Sequence, residues 1–151
     1  MKGVYAIILD IQDLYYLKIN KKEFQIKKGI YIYVGSALGL GGISKRIERY
    51  FQIFNGIKRN KHWHIDYLIP KARNIIAIYA ETNENYECRL FQALKNMEIE
   101  NVEIVKGFGN TDCRAKCGSH LLYVGRIEIE NVIEKVMEIF RRIDLKPLIM
   151  N

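Results

Sequence analysis

Apolar positions along the chain follow two periods, and the boundaries between them mark out the elements. Residues 3–9 (GVYAIIL) are apolar almost throughout and read as a buried strand, with residues 10–13 as its turn. Residues 14–19 form a second strand returning from it, residues 20–23 a polar turn, and residues 24–28 a short third strand. Residues 30–34 are a near-continuous run of β-branched and aromatic side chains, a fourth strand. From Ile43 the period becomes helical: Ile43, Ile47, Tyr50 or Phe51, and Phe54 recur at i, i+4, i+7/8 and i+11. That spacing predicts a helix over 44–55, closed by Gly56 in the left-handed position a C-cap favours.

In the second half, residues 62–69 (HWHIDYLI) alternate. His62, His64, Asp66 and Leu68 fall on one side and Trp63, Ile65, Tyr67 and Ile69 on the other, which predicts a half-buried strand ended by Pro70. A strand over 74–80 follows, then a helix over 84–97 with Asn83 as its N-cap, a strand over 101–106, and a long loop over 107–119. A last strand spans 120–127. Asn131 with Glu134 resembles a capping box opening a C-terminal helix whose core face carries Val132, Ile133, Val136, Phe140 and Ile143. No repeat, low-complexity segment or linker interrupts the pattern, so a single α+β domain over 1–151 is expected: a small central antiparallel or mixed sheet flanked by helices.

Composition narrows the class. The hydrophobic share of 49% with 27% charged residues is that of a globular chain with a core of its own. No run of eighteen apolar residues occurs and no signal cleavage site follows the N-terminus, so the expectation is a cytoplasmic protein without a membrane partner. Three cysteines, an odd number, make a disulfide framework the less favoured reading. The net charge of +7 is concentrated: between Lys45 and Arg73 eight cations stand against Glu48 and Asp66. Such an excess is either a solvated basic face or a nucleic-acid surface. Interleaving with Tyr50, Phe51, Phe54, Trp63 and Tyr67 favours the second, with Lys45, Arg49, Lys58, Arg59, Lys61, His62 and His64 as contacts.

Candidate chemistry gathers at three places. Gly35, Gly39, Gly41 and Gly42 cluster where the fourth strand ends, allowing close backbone approach to a phosphate. Arg46 lies at the edge of the following helix's apolar stripe, facing a cleft rather than bulk water. Glu87 shares an apolar stripe with Leu90, Phe91 and Leu94, where an ionised carboxylate needs an arginine or a metal. Cys88, Cys113, Cys117 and His120 could assemble a Zn²⁺ site, but their spacing is unlike a standard knuckle and packed or redox-labile thiols are the favoured reading.

Gly3-Val4-Tyr5, then Tyr33-Val34-Gly35, then Arg46 eleven residues on, then Glu87 on a later helix, resemble the GIY-YIG nuclease superfamily. Gly29-Ile30-Tyr31 spells the first tripeptide literally but stands too close to Tyr33 to leave room for a hairpin. The segment between Tyr5 and Tyr33 is longer than usual for the superfamily and reads as an inserted β-hairpin over 14–26. The remaining landmarks, GIYIYVGSA, HWHIDYL, GFGNTDC and SHLLY, are similar to a branch of small GIY-YIG-like proteins sometimes fused to endonuclease III.

The resemblance implies a GIY-YIG fold and a metal-dependent nuclease cleaving DNA phosphodiester bonds, with DNA repair suggested by the fusion habit. Glu87 would hold one Mg²⁺ or Mn²⁺, and Arg46 would stabilise charge on the phosphoryl group. Tyr5 or Tyr33 would position or deprotonate water, which requires nearby cations to lower a phenol's pKa. Tyr50 stands where superfamily members carry His or Tyr. The rival readings are a non-catalytic nucleic-acid-binding module of the same fold, for DNA more than RNA, and a zinc-stabilised interaction domain.

Overall fold

A computed structural model describes residues 1–109 and 119–151. Among them a six-stranded sheet, antiparallel at every described pairing, runs in the order β6-β7-β4-β1-β5-β8. Its strands are β1 (Gly3–Ile11), β4 (Gly29–Ala37), β5 (Ala72–Glu81), β6 (Glu103–Ile104), β7 (Leu121–Gly125) and β8 (Leu148–Met150). Between β1 and β4, strands β2 (Tyr15–Ile19) and β3 (Lys22–Ile26) form a separate two-stranded hairpin, the insertion expected from the sequence. The helices are α1 (Gly42–Phe54), α2 (Ile65–Leu68), α3 (Glu87–Lys95) and α4 (Ile129–Arg142).

The central strand β1 is apolar from Val4 to Leu9 because both of its faces are covered there, and it continues through Asp10 and Ile11, where the sequence predicts a turn. Tyr5, Ile7, Leu9 and Ile11 point into a core shared with α1, α2 and the hairpin. Val4, Ala6 and Ile8 point into a second core closed by α3 and α4. Two cores on one sheet explain why the alternation expected of a half-exposed strand is missing there. The stripe on α1 is buried at Ile43, Ile47, Tyr50 and Ile53, and Gly56 adopts φ 74° just past the helix, as its position predicts.

Several boundaries move. Residues 62–69 do not form a strand: they hold a single helical turn, α2, followed by a 3₁₀ turn at Ile69–Lys71. Ile65, Leu68 and Ile69 are all fully buried, and their i, i+3, i+4 spacing is helical. The alternation of histidines with aromatics hides it. Asn83 does not cap α3, which begins at Glu87 behind Tyr86, with Asn85 Oδ1 accepting the Glu87 N–H at 3.1 Å. Asn131 lies inside α4 rather than at its start, because the first turn already closes on Glu128, whose carbonyl accepts the Asn131 N–H. Strand β8, paired with β5, has no counterpart in the sequence-based reading. No helix among the described residues is long and apolar enough to cross a membrane.

Candidate active site

The register of β1 against β4 sets Tyr5 directly opposite Gly35. The Tyr5 ring crosses over Gly35, and a Cβ at that glycine would collide with the phenol oxygen. Gly3 is similarly constrained, since a Cβ there would strike the Ala80 carbonyl and the Ile43 side chain of α1. The two glycines therefore let a phenol and a helix lie flat on the end of the sheet. Tyr33, two residues before Gly35, points to the same side and packs edge-on against Phe108, with ring centroids 6.2 Å apart.

Helix α1 delivers the next two groups. Tyr50 and Tyr5 share a hydrogen bond between their hydroxyls at 2.7 Å, with the rings edge to face at 5.6 Å. Arg46 Nη1 donates to Tyr5 Oη at 3.4 Å and to the Ser36 carbonyl at 3.3 Å. The Arg46 guanidinium also stacks on Trp63, 4.2 Å from the ring centroid. Among the described residues no carboxylate comes within ion-pair range of Arg46. Its described acceptors are the Tyr5 and Tyr50 phenols and the Ser36 carbonyl, all of them neutral oxygens.

Burial pushes Tyr5 above its ordinary value of 10.0, outweighing the pull of Arg46 and of the Tyr50 hydrogen bond. Tyr50 is pushed well above the same value, first by burial and then by the Tyr5 and Tyr33 phenols. For Tyr5 the expectation that cations would lower the phenol is thereby corrected, because loss of water costs the phenolate more than Arg46 returns. Both are neutral hydrogen-bonding groups at neutral pH. For Arg46, burial opposes the charged form, but the Tyr5 and Tyr50 phenols overcome it and the pKa is raised.

Glu87 begins α3 on the opposite side of the sheet's end, with its side chain 16% exposed. Ser36 joins it to the phenol cluster: the Ser36 hydroxyl donates to Glu87 Oε1 at 3.5 Å while its carbonyl receives Arg46. His120 Nδ1 lies 3.7 Å from the same Glu87 oxygen and 3.1 Å from the Val34 carbonyl. Glu87 is also close enough for its charge to act on Tyr5. Among the described residues no three His, Cys, Asp or Glu side chains cluster as a metal cage. One partly exposed carboxylate suits a hydrated hard cation that takes its other ligands from water and a substrate phosphate, and does not suit a fully protein-ligated ion.

Beside Arg46 the glycine-rich turn opens a pocket of about 380 Å³, lined by Gly41, Gly42, Lys45, Arg49 and Lys58, with Glu48 the one carboxylate in its described lining. Gly41 and Gly42 hold φ of 93° and 71°, a conformation that glycine adopts without strain. Lys58, Arg59, Lys61 and His62 are exposed on the following loop, with Lys61 Nζ 4.8 Å from the Tyr67 ring centroid. Arg49 and His64 are placed differently from what the basic-surface reading expects. Arg49 forks onto Asp66 at 2.8 and 2.6 Å, so its charge is already matched. His64 turns inward, packing on Phe24 and Phe108 and accepting the Gly109 N–H at 2.7 Å.

Cys88 is disulfide-bonded, against the expectation for these cysteines, and so offers no thiolate to zinc. Cys113 and Cys117 lie outside the described residues. Periodicity gave no hint of Ser36 as a bridge or of Trp63 as the platform under Arg46. The sole tryptophan in a cationic stretch was the available signal for the second.

Residues 4–143 match the family described as Domain of unknown function DUF123, and the chain belongs to that family. The comparisons with curated proteins and with solved structures return no match.

Proposed function

We propose that this protein is a metal-dependent nuclease of the GIY-YIG type, cleaving phosphodiester bonds in DNA. The observation that carries the reading is Arg46: a stacked, partly buried guanidinium held by neutral oxygens at the edge of a glycine-lined cationic pocket. A phosphodiester is the anion such a pocket accommodates. Lys45 and Lys58 draw the backbone in, and Arg46 donates to the phosphoryl oxygens as charge develops on them. Tyr5 and Tyr50, neutral and hydrogen-bonded to each other, orient the attacking water and relay its hydrogen bonds rather than serve as resting phenolates. Glu87 is the carboxylate that would hold Mg²⁺ or Mn²⁺, which when bound supplies positive charge to the leaving 3′ oxygen. Ser36 positions both sides, since its carbonyl receives Arg46 and its hydroxyl meets Glu87.

Purified protein is tested on nicked, branched and single-stranded DNA with Mg²⁺ or Mn²⁺. Cleavage is expected from the wild type and not from Glu87→Gln or Arg46→Ala. A DNA-binding module without cleavage is the second reading, favoured by the raised Tyr5 and Tyr50 phenols, neither of which is a tyrosinate at neutral pH. Salt-dependent DNA binding by a wild type that leaves every substrate intact would select it. The resemblance points to DNA repair as the setting.

A further inference from the structure

We propose that Leu40 is an apolar wedge, presented by the glycine-rich turn to DNA whose base stacking is interrupted at a nick or branch. The inference rests on the nucleic-acid reading of the pocket and adds the structural class of its substrate. Leu40 is 108% exposed, so the fold shields none of it. It stands between Gly39, where an added Cβ would meet nothing within 4 Å, and Gly41, held at φ 93°. A turn of this kind lifts its one large side chain clear of the body, and no part of either core uses it.

What separates Leu40 from an ordinary exposed leucine is its company. It lines the same pocket as Lys45, Arg46 and Lys58, whose charges outnumber that of Glu48 beside them. Those cations match phosphates, and a leucine gains nothing from a phosphate. Its favourable contact is the apolar face of a base, which an intact duplex conceals within the stack and a nick or branch uncovers. Ile57 is a built-in control: it is 75% exposed and adjacent to Lys58, but is not among the residues that line the pocket.

The test measures binding in metal-free buffer, so that cleavage plays no part. Fluorescence anisotropy compares an intact duplex with the same duplex carrying a nick flanked by 2-aminopurine. Wild type is expected to bind the nicked duplex about ten-fold more tightly, the scale of burying one leucine side chain, and to raise the 2-aminopurine emission by unstacking it. Leu40→Ala is expected to bring the affinity ratio close to one without changing affinity for the intact duplex. Leu40→Met should retain the preference, and Ile57→Ala should leave it untouched. A wild-type ratio near one, a ratio unchanged in Leu40→Ala, or an equal loss in Ile57→Ala overturns the wedge while the cationic pocket stands. Absence of salt-dependent binding to either duplex overturns the nucleic-acid reading itself and the wedge with it.

Discussion

Arg46 and Arg49 stand three residues apart on α1 and stack on the same indole, with guanidinium carbons 4.2 and 4.9 Å from the Trp63 centroid. Their surroundings differ in one respect. Arg49 grips Asp66, a carboxylate with no exposed surface that also accepts the His62 and Trp63 N–H groups at 2.7 and 2.9 Å. A third donation, from Arg49 Nη2 to the Asn60 carbonyl, ties the basic loop to the helix. Among the described residues Arg46 meets the Tyr5 and Tyr50 phenols and the Ser36 carbonyl, with no carboxylate in ion-pair range. Among the described residues, then, one arginine is matched by a buried carboxylate and the other is held by neutral oxygens. Charge counted along the sequence treats the two alike.

The contrast can be broken in descending order of effect. Asp66→Ala strands Arg49 and two N–H groups, and should cost about 3–5 kcal/mol in denaturant unfolding. A double replacement by apolar residues of similar volume should cost less than the single one. If Asp66→Ala unfolds like the wild type, the architectural role fails. Arg46→Ala should lower cleavage by about 10²–10³-fold and shift stability by less than about 1 kcal/mol. An Arg46 variant that loses stability instead of activity would make the two arginines equivalent.

Smaller effects sharpen the same comparison. Tyr5→Phe or Tyr50→Phe removes one side of a buried hydroxyl pair and should cost about 1 kcal/mol. Their folded pKa values are raised above the ordinary 10.0, so unfolded chains bind fewer protons once the pH exceeds that value. Stability from these phenols is complete below about pH 10 and declines as the pH rises through the folded values. The double Phe variant should show a shallower alkaline decline in pH-dependent unfolding. Least of all, Lys45→Ala should weaken every DNA ligand alike and reduce the slope of log affinity against log salt by about one. The same change at Arg49 should alter that slope less, because Asp66 already neutralises it.

Legibility followed the range of the forces involved. Continuous apolar runs and helical stripes identified β1, the hairpin, β4, α1 and the core face of α4, since each pattern is a local record of which sides meet apolar mass. Where a carboxylate closed the chain on itself, the pattern misled: Asp66 bonds backbone N–H groups three and four residues earlier, bending residues 62–69 into a turn. At the candidate site, Tyr5, Tyr33, Arg46 and Tyr50 come together on one side of the sheet, with Glu87 reached through Ser36. Motif spacing supplied the names of the five side chains and said nothing of Ser36, Trp63 or the raised phenols, because burial and stacking come from chain segments distant in sequence.

By itself, then, the order of residues determined the two-sided central strand, the glycine-rich turn, the cationic helix after it and the spacing of the aromatic and charged side chains. Each depends on period and residue type over a few positions. Only the folded chain decided which arginine is neutralised, that the phenols stay protonated, and that Leu40 projects from a cationic rim. Partnership, desolvation and exposure are set by what returns from elsewhere to lie against a residue, as the segment carrying Trp63 and Asp66 does against α1.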